Sequence, residues 1–284
     1  MANDNPLKQF FRQPALYVKM PTNGRWYSQT EVTMTIDGEL PVYGLTAIDE
    51  VMLNTPDAML NGQSLEKVIS NCAPDVKNVK KLLLPDLEAL FLAIKSATNS
   101  GKYDFDRNCP KCEHENNFEI NCQTLLDTMS YVDDSDCVIN LNDELMVHVK
   151  PYSFEMRQLF MQREFEEERT LKAIDATNQE LDEFEKAKIL GESIERLSKM
   201  TFDLVSKSID RIIMTKQGAT VTDPAHISEW LISINKQQAD SVMEAVNGLN
   251  GIGVNKVIPA QCNECGHEWT ETLNFDPVSF FVRR

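Results

Sequence analysis

The sequence predicts an α+β chain, mainly helical with short β-strand pairs, built as two pseudo-repeated modules joined by a zinc-ribbon-like four-cysteine site. Three observations predict it. Apolar residues recur at helical spacing through much of the chain. The strand-like runs are short and come in pairs around Asp-Gly or Asn-Asp turns. Two Cys-x-x-Cys pairs, Cys109/Cys112 and Cys262/Cys265, lie about 150 residues apart.

The bulk properties suit such a chain. Its 284 residues are 42% hydrophobic and 25% charged, near globular averages. Nothing resembles the run of about 20 apolar residues that spans a bilayer. The N-terminus, MANDNPLKQFF, lacks a basic region followed by an apolar stretch, which argues against secretion. The net charge of −16 argues against a broad nucleic-acid-binding surface, which needs clustered Lys and Arg.

Taken in order, residues 1–30 read as an extended N-terminal arm. Phe10, Phe11, Pro14, Tyr17, Pro21, Asn23-Gly24, Trp26 and Tyr27 punctuate it with aromatic residues and turns. The first module, 31–137, opens with a strand pair, 31–36 and 39–43, around Asp37-Gly38. Thr46 begins a helix that Asn54-Thr55-Pro56 breaks, and short helices follow near 57–61, 64–72 and 76–83. Pro85-Asp86 starts a longer one, with Leu87, Leu90, Phe91 and Ile94 at helical spacing. A strand from Tyr103 to Arg107 leads into the first cysteine pair.

The second module, 138–284, opens with strands 138–141 and 145–149. Ser153 caps a long acidic helix that turns near 175–179 into a second. There Ile189, Ile194, Leu197, Leu204, Ile209 and Ile212 give an apolar face to about residue 214. Asp223-Pro224 opens a short helix, residues 238–246 form another, and a strand over 254–260 leads into the second cysteine pair.

The modules look like versions of each other. Asp86 lies 23 residues before Cys109, and Asp240 lies 22 before Cys262. Cys112-Glu113-His114-Glu115 matches Cys265-Gly266-His267-Glu268, and Ile120-Asn121 matches Leu273-Asn274.

Seven cysteines, an odd number in a chain without a secretion signal, read as metal before disulfide. Each pair supplies two of the four thiolates that a closed zinc site needs, so Cys109, Cys112, Cys262 and Cys265 are expected to hold one structural Zn2+ between the modules. Loss of one cysteine is then expected to unlatch the halves. His114 and His267 sit two positions past each pair, and would be ligands only if the pairs formed two separate sites. Cys72, Cys122 and Cys137 read as buried apolar residues. The sequence contains no His-Glu-x-x-His, no phosphate-binding glycine loop and no nucleophile elbow, and four thiolates leave zinc no open position, so no catalytic residue is assigned and the chain reads as a non-enzyme.

The stretch from Pro14 to Leu125 resembles the baseplate proteins of T4-like contractile-tailed bacteriophages. The matching residues are Leu16 to Pro21 followed by Gly24 and Tyr27, then Gly38 to Val42, Leu45 to Glu50, Thr55 to Gly62, Asp86, and Cys109-Pro110-Lys111-Cys112. The resemblance implies a structural component of the tail baseplate, at or near its hub, made in the host cytoplasm and carried in the virion. Its partners would be other baseplate and tail proteins, contacted in several copies of a symmetric assembly through the arm and the acidic helices. A hub-assembly chaperone that leaves the particle and a zinc-ribbon nucleic-acid binder are the alternatives.

Overall fold

In the computed structural model of the chain, which describes residues 6–53, 62–98, 101–176, 183–273, 275 and 280, the strand-like runs pair largely as their alternation predicts, but not always with their neighbours. The chain divides into two units, Met1–Val79 with Pro85–Tyr131 and Ile252–Arg284, and Lys80–Leu84 with Val132–Gly251. The sequence puts the boundary after residue 137 and everything beyond it in the second module. In the structure the boundary falls after Tyr131, and the segment from Ile252 returns to the first unit.

The first unit begins with a correction to the arm. Leu16-Tyr17-Val18-Lys19 is strand β1, not an irregular segment, and pairs antiparallel with β2, Glu39–Val42, from Leu16↔Val42 to Lys19↔Glu39. Val18, Leu40 and Val42 face the core. The turn at Asp37-Gly38 forms, with Gly38 at φ 75°. The expected partner strand at 31–36 does not; Val32 makes an isolated bridge to Val76 instead. β1 takes the edge that strand would have used.

Helix α1, Ala47–Leu53, starts from a reciprocal cap in which the Asp49 carboxylate accepts the Thr46 amide at 2.8 Å and the Asp49 amide donates to the Thr46 hydroxyl at 3.3 Å. The expected helix at 57–61 lies outside the described residues. Helix α2, Gln63–Cys72, follows as predicted, whereas 76–83 shrinks to a 3-10 turn at Val79–Lys81. Helix α3, Leu84–Ala97, is buried along most of its length, including Leu87, Leu90, Phe91 and Ile94. Strands β3, Lys102–Asn108, and β4, Glu115–Asn121, form a hairpin, and helix α4, Cys122–Asp127, is capped by the Asn121 side chain.

Asp86 in the first turn of α3 is buried and accepts three hydrogen bonds from the N-terminal segment. They come from the Thr22 amide at 2.9 Å, the Thr22 hydroxyl at 2.6 Å and the Tyr27 hydroxyl at 2.6 Å. Arg12 adds a second anchor, donating to the carbonyl of Asn71 at 2.6 Å with Asp49 3.6 Å away. From Arg12 onward the arm is therefore tied to its own unit, while Leu7, Phe10 and Phe11 remain exposed. Gly253, at φ 109°, lies where a Cβ would stand 3.2 Å from Pro21, so the returning chain passes close to this lock.

The second unit is one four-stranded antiparallel sheet, ordered β5-β6-β7-β8, with helices. β5, Val138–Asn140, and β6, Leu145–Val149, form the predicted pair. The Ser153 hydroxyl accepts the Met156 amide at 3.3 Å to start α5, Phe154–Ala176. The turn near 175–179 falls largely outside the described residues. Helix α6, Glu183–Lys207, stops short of the expected 214, because Ile209–Met214 is strand β7, central in the sheet between β6 and β8, Ala219–Val221. Asp223 caps α7, Pro224–Ser233, and α8 extends over Lys236–Gly251. The charges of α5 and α6 are largely paired with one another, as in Arg196 to Glu167 at 2.7 Å and Lys199 to Glu195 at 2.7 Å. Among the described residues no helix is long and apolar enough to cross a membrane.

The chain then returns to the first unit through β9, Val257–Gln261, and β10, Glu268–Thr272, a second hairpin. The two units therefore carry different sets of elements, and the internal likeness is concentrated in the two cysteine-bearing hairpins, both in the first unit.

Candidate metal centre

Each cysteine pair occupies the tip of a hairpin. The last partners of β3 and β4 are Asn108 and Glu115, so Cys109 to His114 make the connection. Gln261 and Glu268 close the other hairpin, so Cys262 to His267 make its connection. Both tips fold alike. The amide of the first cysteine donates to the histidine carbonyl at 2.9 Å in each, and the residue after the second cysteine donates back to the first cysteine's carbonyl at 2.9 Å (Glu113) and 3.0 Å (Gly266). That residue is left-handed in both, Glu113 at φ 60° and Gly266 at φ 67°. Glycine suits the position, whereas a side chain there costs roughly 1 kcal/mol. Glu113→Gly is therefore expected to raise the midpoint of chemical denaturation, by up to about 1 kcal/mol in stability.

The hairpins meet along a run of aromatic rings. Tyr103 stacks on Phe105 with centroids 5.7 Å apart, Phe105 on Phe118 at 5.4 Å, and Phe118 meets the edge of Trp269 at 5.9 Å. Phe275 and Phe280 lie against Tyr103 at its buried end. Arg107 on β3 pairs with Glu271 on β10 at 2.7 Å. Cross-hairpin contacts thus bring the tips together independently of any ion.

At the tips the four sulfurs lie within 4.8 Å of one another, and this group can hold a metal ion. Cys109 Sγ is 3.7 Å from Cys265 Sγ, and Cys112 Sγ is 3.6 Å from Cys262 Sγ. A disulfide needs about 2.05 Å. Four sulfurs at about 2.3 Å around a tetrahedral zinc stand about 3.8 Å apart, which the cluster nearly matches. Cys109 and Cys262 are buried, while Cys112 and Cys265 are exposed.

Their surroundings separate the thiols. The amide of Cys265 holds the Cys262 sulfur down to about 6, against the loss of water, with further help from the Glu264 amide, Cys112 and Asn116. At Cys112 the His114 amide lowers the value, but desolvation and the three neighbouring sulfurs outweigh it and lift the thiol to about 12. The cluster therefore favours a thiolate on Cys262 first. His114 is exposed and His267 stacks on Trp269 at 6.2 Å, and neither belongs to the group of possible ligands. Cys72 and Cys122 are buried with thiols raised to about 11 by desolvation, and Cys137 is buried with its thiol on the Asp133 carbonyl.

The structure thus brings together all four cysteines predicted from the sequence. It corrects where they stand, because both tips belong to one unit and the cluster joins two hairpins of that unit rather than two modules. Asn116, two residues past His114, is a member of the cluster that the sequence did not reveal. Its buried side chain donates to Cys262 Sγ at 3.7 Å.

The profile of the family described as T4 bacteriophage base plate protein matches residues 44–282. No curated protein and no solved structure matches the chain.

Proposed function

The chain belongs to the T4 bacteriophage base plate protein family, and on that premise we propose that it is a structural subunit of the phage tail baseplate, at or near the central hub. The family match over residues 44–282 carries this reading. The subunit binds neighbouring tail proteins, in several copies of a symmetric assembly, and catalyses no reaction. Two exposed surfaces support partner binding: the apolar arm residues Leu7, Phe10 and Phe11, and the apolar residues Leu159, Phe165, Leu190 and Ile194 on α5 and α6.

Cys109, Cys112, Cys262 and Cys265 hold one structural zinc ion in this reading. Four sulfurs at tetrahedral spacing favour zinc over harder cations, which prefer oxygen. The ion would be acquired in the reducing host cytoplasm and carried into the virion. Its role is to fix two hairpin tips so that their outer faces keep one shape in the assembly.

The test is mass spectrometry of purified particles, with zinc quantified per copy and cross-links mapped to hub proteins. The expected result is the chain present in virions, one zinc per copy, cross-linked to the hub. Absence from mature particles would replace the structural reading with that of a transient assembly factor. Zinc-free chains would overturn the metal assignment. Salt-sensitive DNA binding in a gel shift would favour a nucleic-acid role, against which the −16 charge stands.

A further inference from the structure

We propose that Asn116 is a positioning residue of this metal centre, planted in one hairpin and orienting the Cys262 thiolate of the other; the inference rests on the zinc reading above. Asn116 is 1% exposed, and its side chain is engaged at both ends. Nδ2 donates to the His114 carbonyl of its own tip at 2.9 Å and to Cys262 Sγ at 3.7 Å. Oδ1 accepts the Asn263 amide at 2.9 Å. One planar amide therefore bridges the tips, holding a ligand sulfur and the backbone next to it at once.

The arrangement has no counterpart in the other hairpin. Asn116 is the fourth residue after Cys112, and the fourth after Cys265 is Trp269, which turns to Phe118 and His267 instead. Cys109, the equivalent of Cys262, receives a backbone amide from Lys111 at 3.4 Å. Backbone donors belong to the turn itself and exist wherever the turn forms. A buried amide side chain reaching a sulfur 146 positions away is a separate device, which only the packed hairpins can supply.

Its chemical purpose follows from charge. Four thiolates around a divalent ion leave a net charge of −2, and N–H donors on sulfur disperse that charge and set the direction of the sulfur lone pairs. Groups that orient metal ligands in this way typically contribute 10- to 100-fold in affinity. Asn116→Asp is the discriminating variant. It keeps the shape and the acceptor for Asn263, but turns an acceptor toward the thiolate in place of the donor.

The experiment measures zinc affinity of the full chain by chelator competition, and the sulfur-to-metal charge-transfer band with cobalt(II) in place of zinc. Asn116→Asp and Asn116→Ala are each expected to weaken zinc binding about 10- to 100-fold and to shift the cobalt band. Wild-type affinity with an unchanged band in both variants would overturn the positioning role and leave the zinc assignment standing. A wild-type chain that binds neither metal would overturn both. Should the variants not fold, the wild-type chain loaded with cadmium-113 decides. Scalar coupling between the Asn116 side-chain amide proton and the metal is expected, and its absence would sink the proposal.

Discussion

Withdrawing zinc with EDTA is expected to lower the melting temperature of the cysteine-bearing unit and to leave the transition of the other unit in place. All four ligands lie within the first unit, so metal binding is linked to the folding of that unit alone. Structural zinc in small peptides binds with about 10 to 16 kcal/mol, most of which is folding energy because the apo peptides have no structure. Here the two hairpins already meet through Tyr103, Phe105, Phe118 and Trp269, so the ion finds its sulfurs largely gathered. The relevant quantity is then mass action. Free zinc a thousandfold above its dissociation constant adds about 4 kcal/mol. For a unit of this size that corresponds to a shift on the order of 10 °C.

Scanning calorimetry with and without chelator measures this directly. Cys109→Ser is expected to reproduce the chelated state and to make further EDTA without effect. A melt indifferent to EDTA, or one in which both transitions move together, would contradict the assignment of the ion to one unit. The sequence alone suggested a larger consequence, with two halves coming apart. The structure limits it to loosening of two tips, because the aromatic contacts lie on the strands and do not depend on the ion.

How far the site was legible follows from the range of its signals. Cys-x-x-Cys is a local pattern, and the strand-like residues on both sides of each pair are local too, so four ligands and two knuckles could be read from sequence. Asn116 could not. Its role depends on Cys262 and Asn263, which reach it only when two distant hairpins pack. The same contrast runs through the fold. Helix α3 was legible because Leu87, Leu90, Phe91 and Ile94 repeat at one period over a long stretch. Strand β7 was taken into the preceding helix because Ile209 and Ile212 also fit an i, i+3 spacing; its place between β6 and β8 is decided by non-local pairing. β1 spans four residues beside turn formers, too few to show a period, and its partner lies beyond the turns at 21–26. The return of β9 and β10 to the first unit is likewise a matter of which aromatic faces meet, which a repeat in the sequence does not specify.

Asp86→Ala is expected to be among the most damaging single substitutions outside the metal centre, costing about 3 kcal/mol or more by urea denaturation. It would strand the buried Thr22 amide and remove the shared acceptor of the Thr22 and Tyr27 hydroxyls, and each unsatisfied buried donor costs about 1 to 3 kcal/mol. Asp86→Asn should behave differently. Burial lifts the Asp86 carboxyl to about 6, against the lowering pull of Thr22 and Tyr27. The folded chain therefore keeps a proton on Asp86 between about pH 4 and 6 that the unfolded chain, titrating near the usual carboxylate value, has already lost. Stability contributed by this group is then greatest below pH 4 and falls as pH rises to 6, by an amount on the order of 3 kcal/mol. Asparagine keeps an acceptor for the Thr22 amide and offers N–H groups to hydroxyls that can turn to accept, so it mimics the protonated acid at every pH. Asp86→Asn should consequently match the wild type near pH 4 and exceed it near pH 7. Parallel stability curves for the two chains across pH 4 to 6 would refute the raised carboxyl, and a mild Asp86→Ala would refute its role as the lock that ties the N-terminal segment to α3.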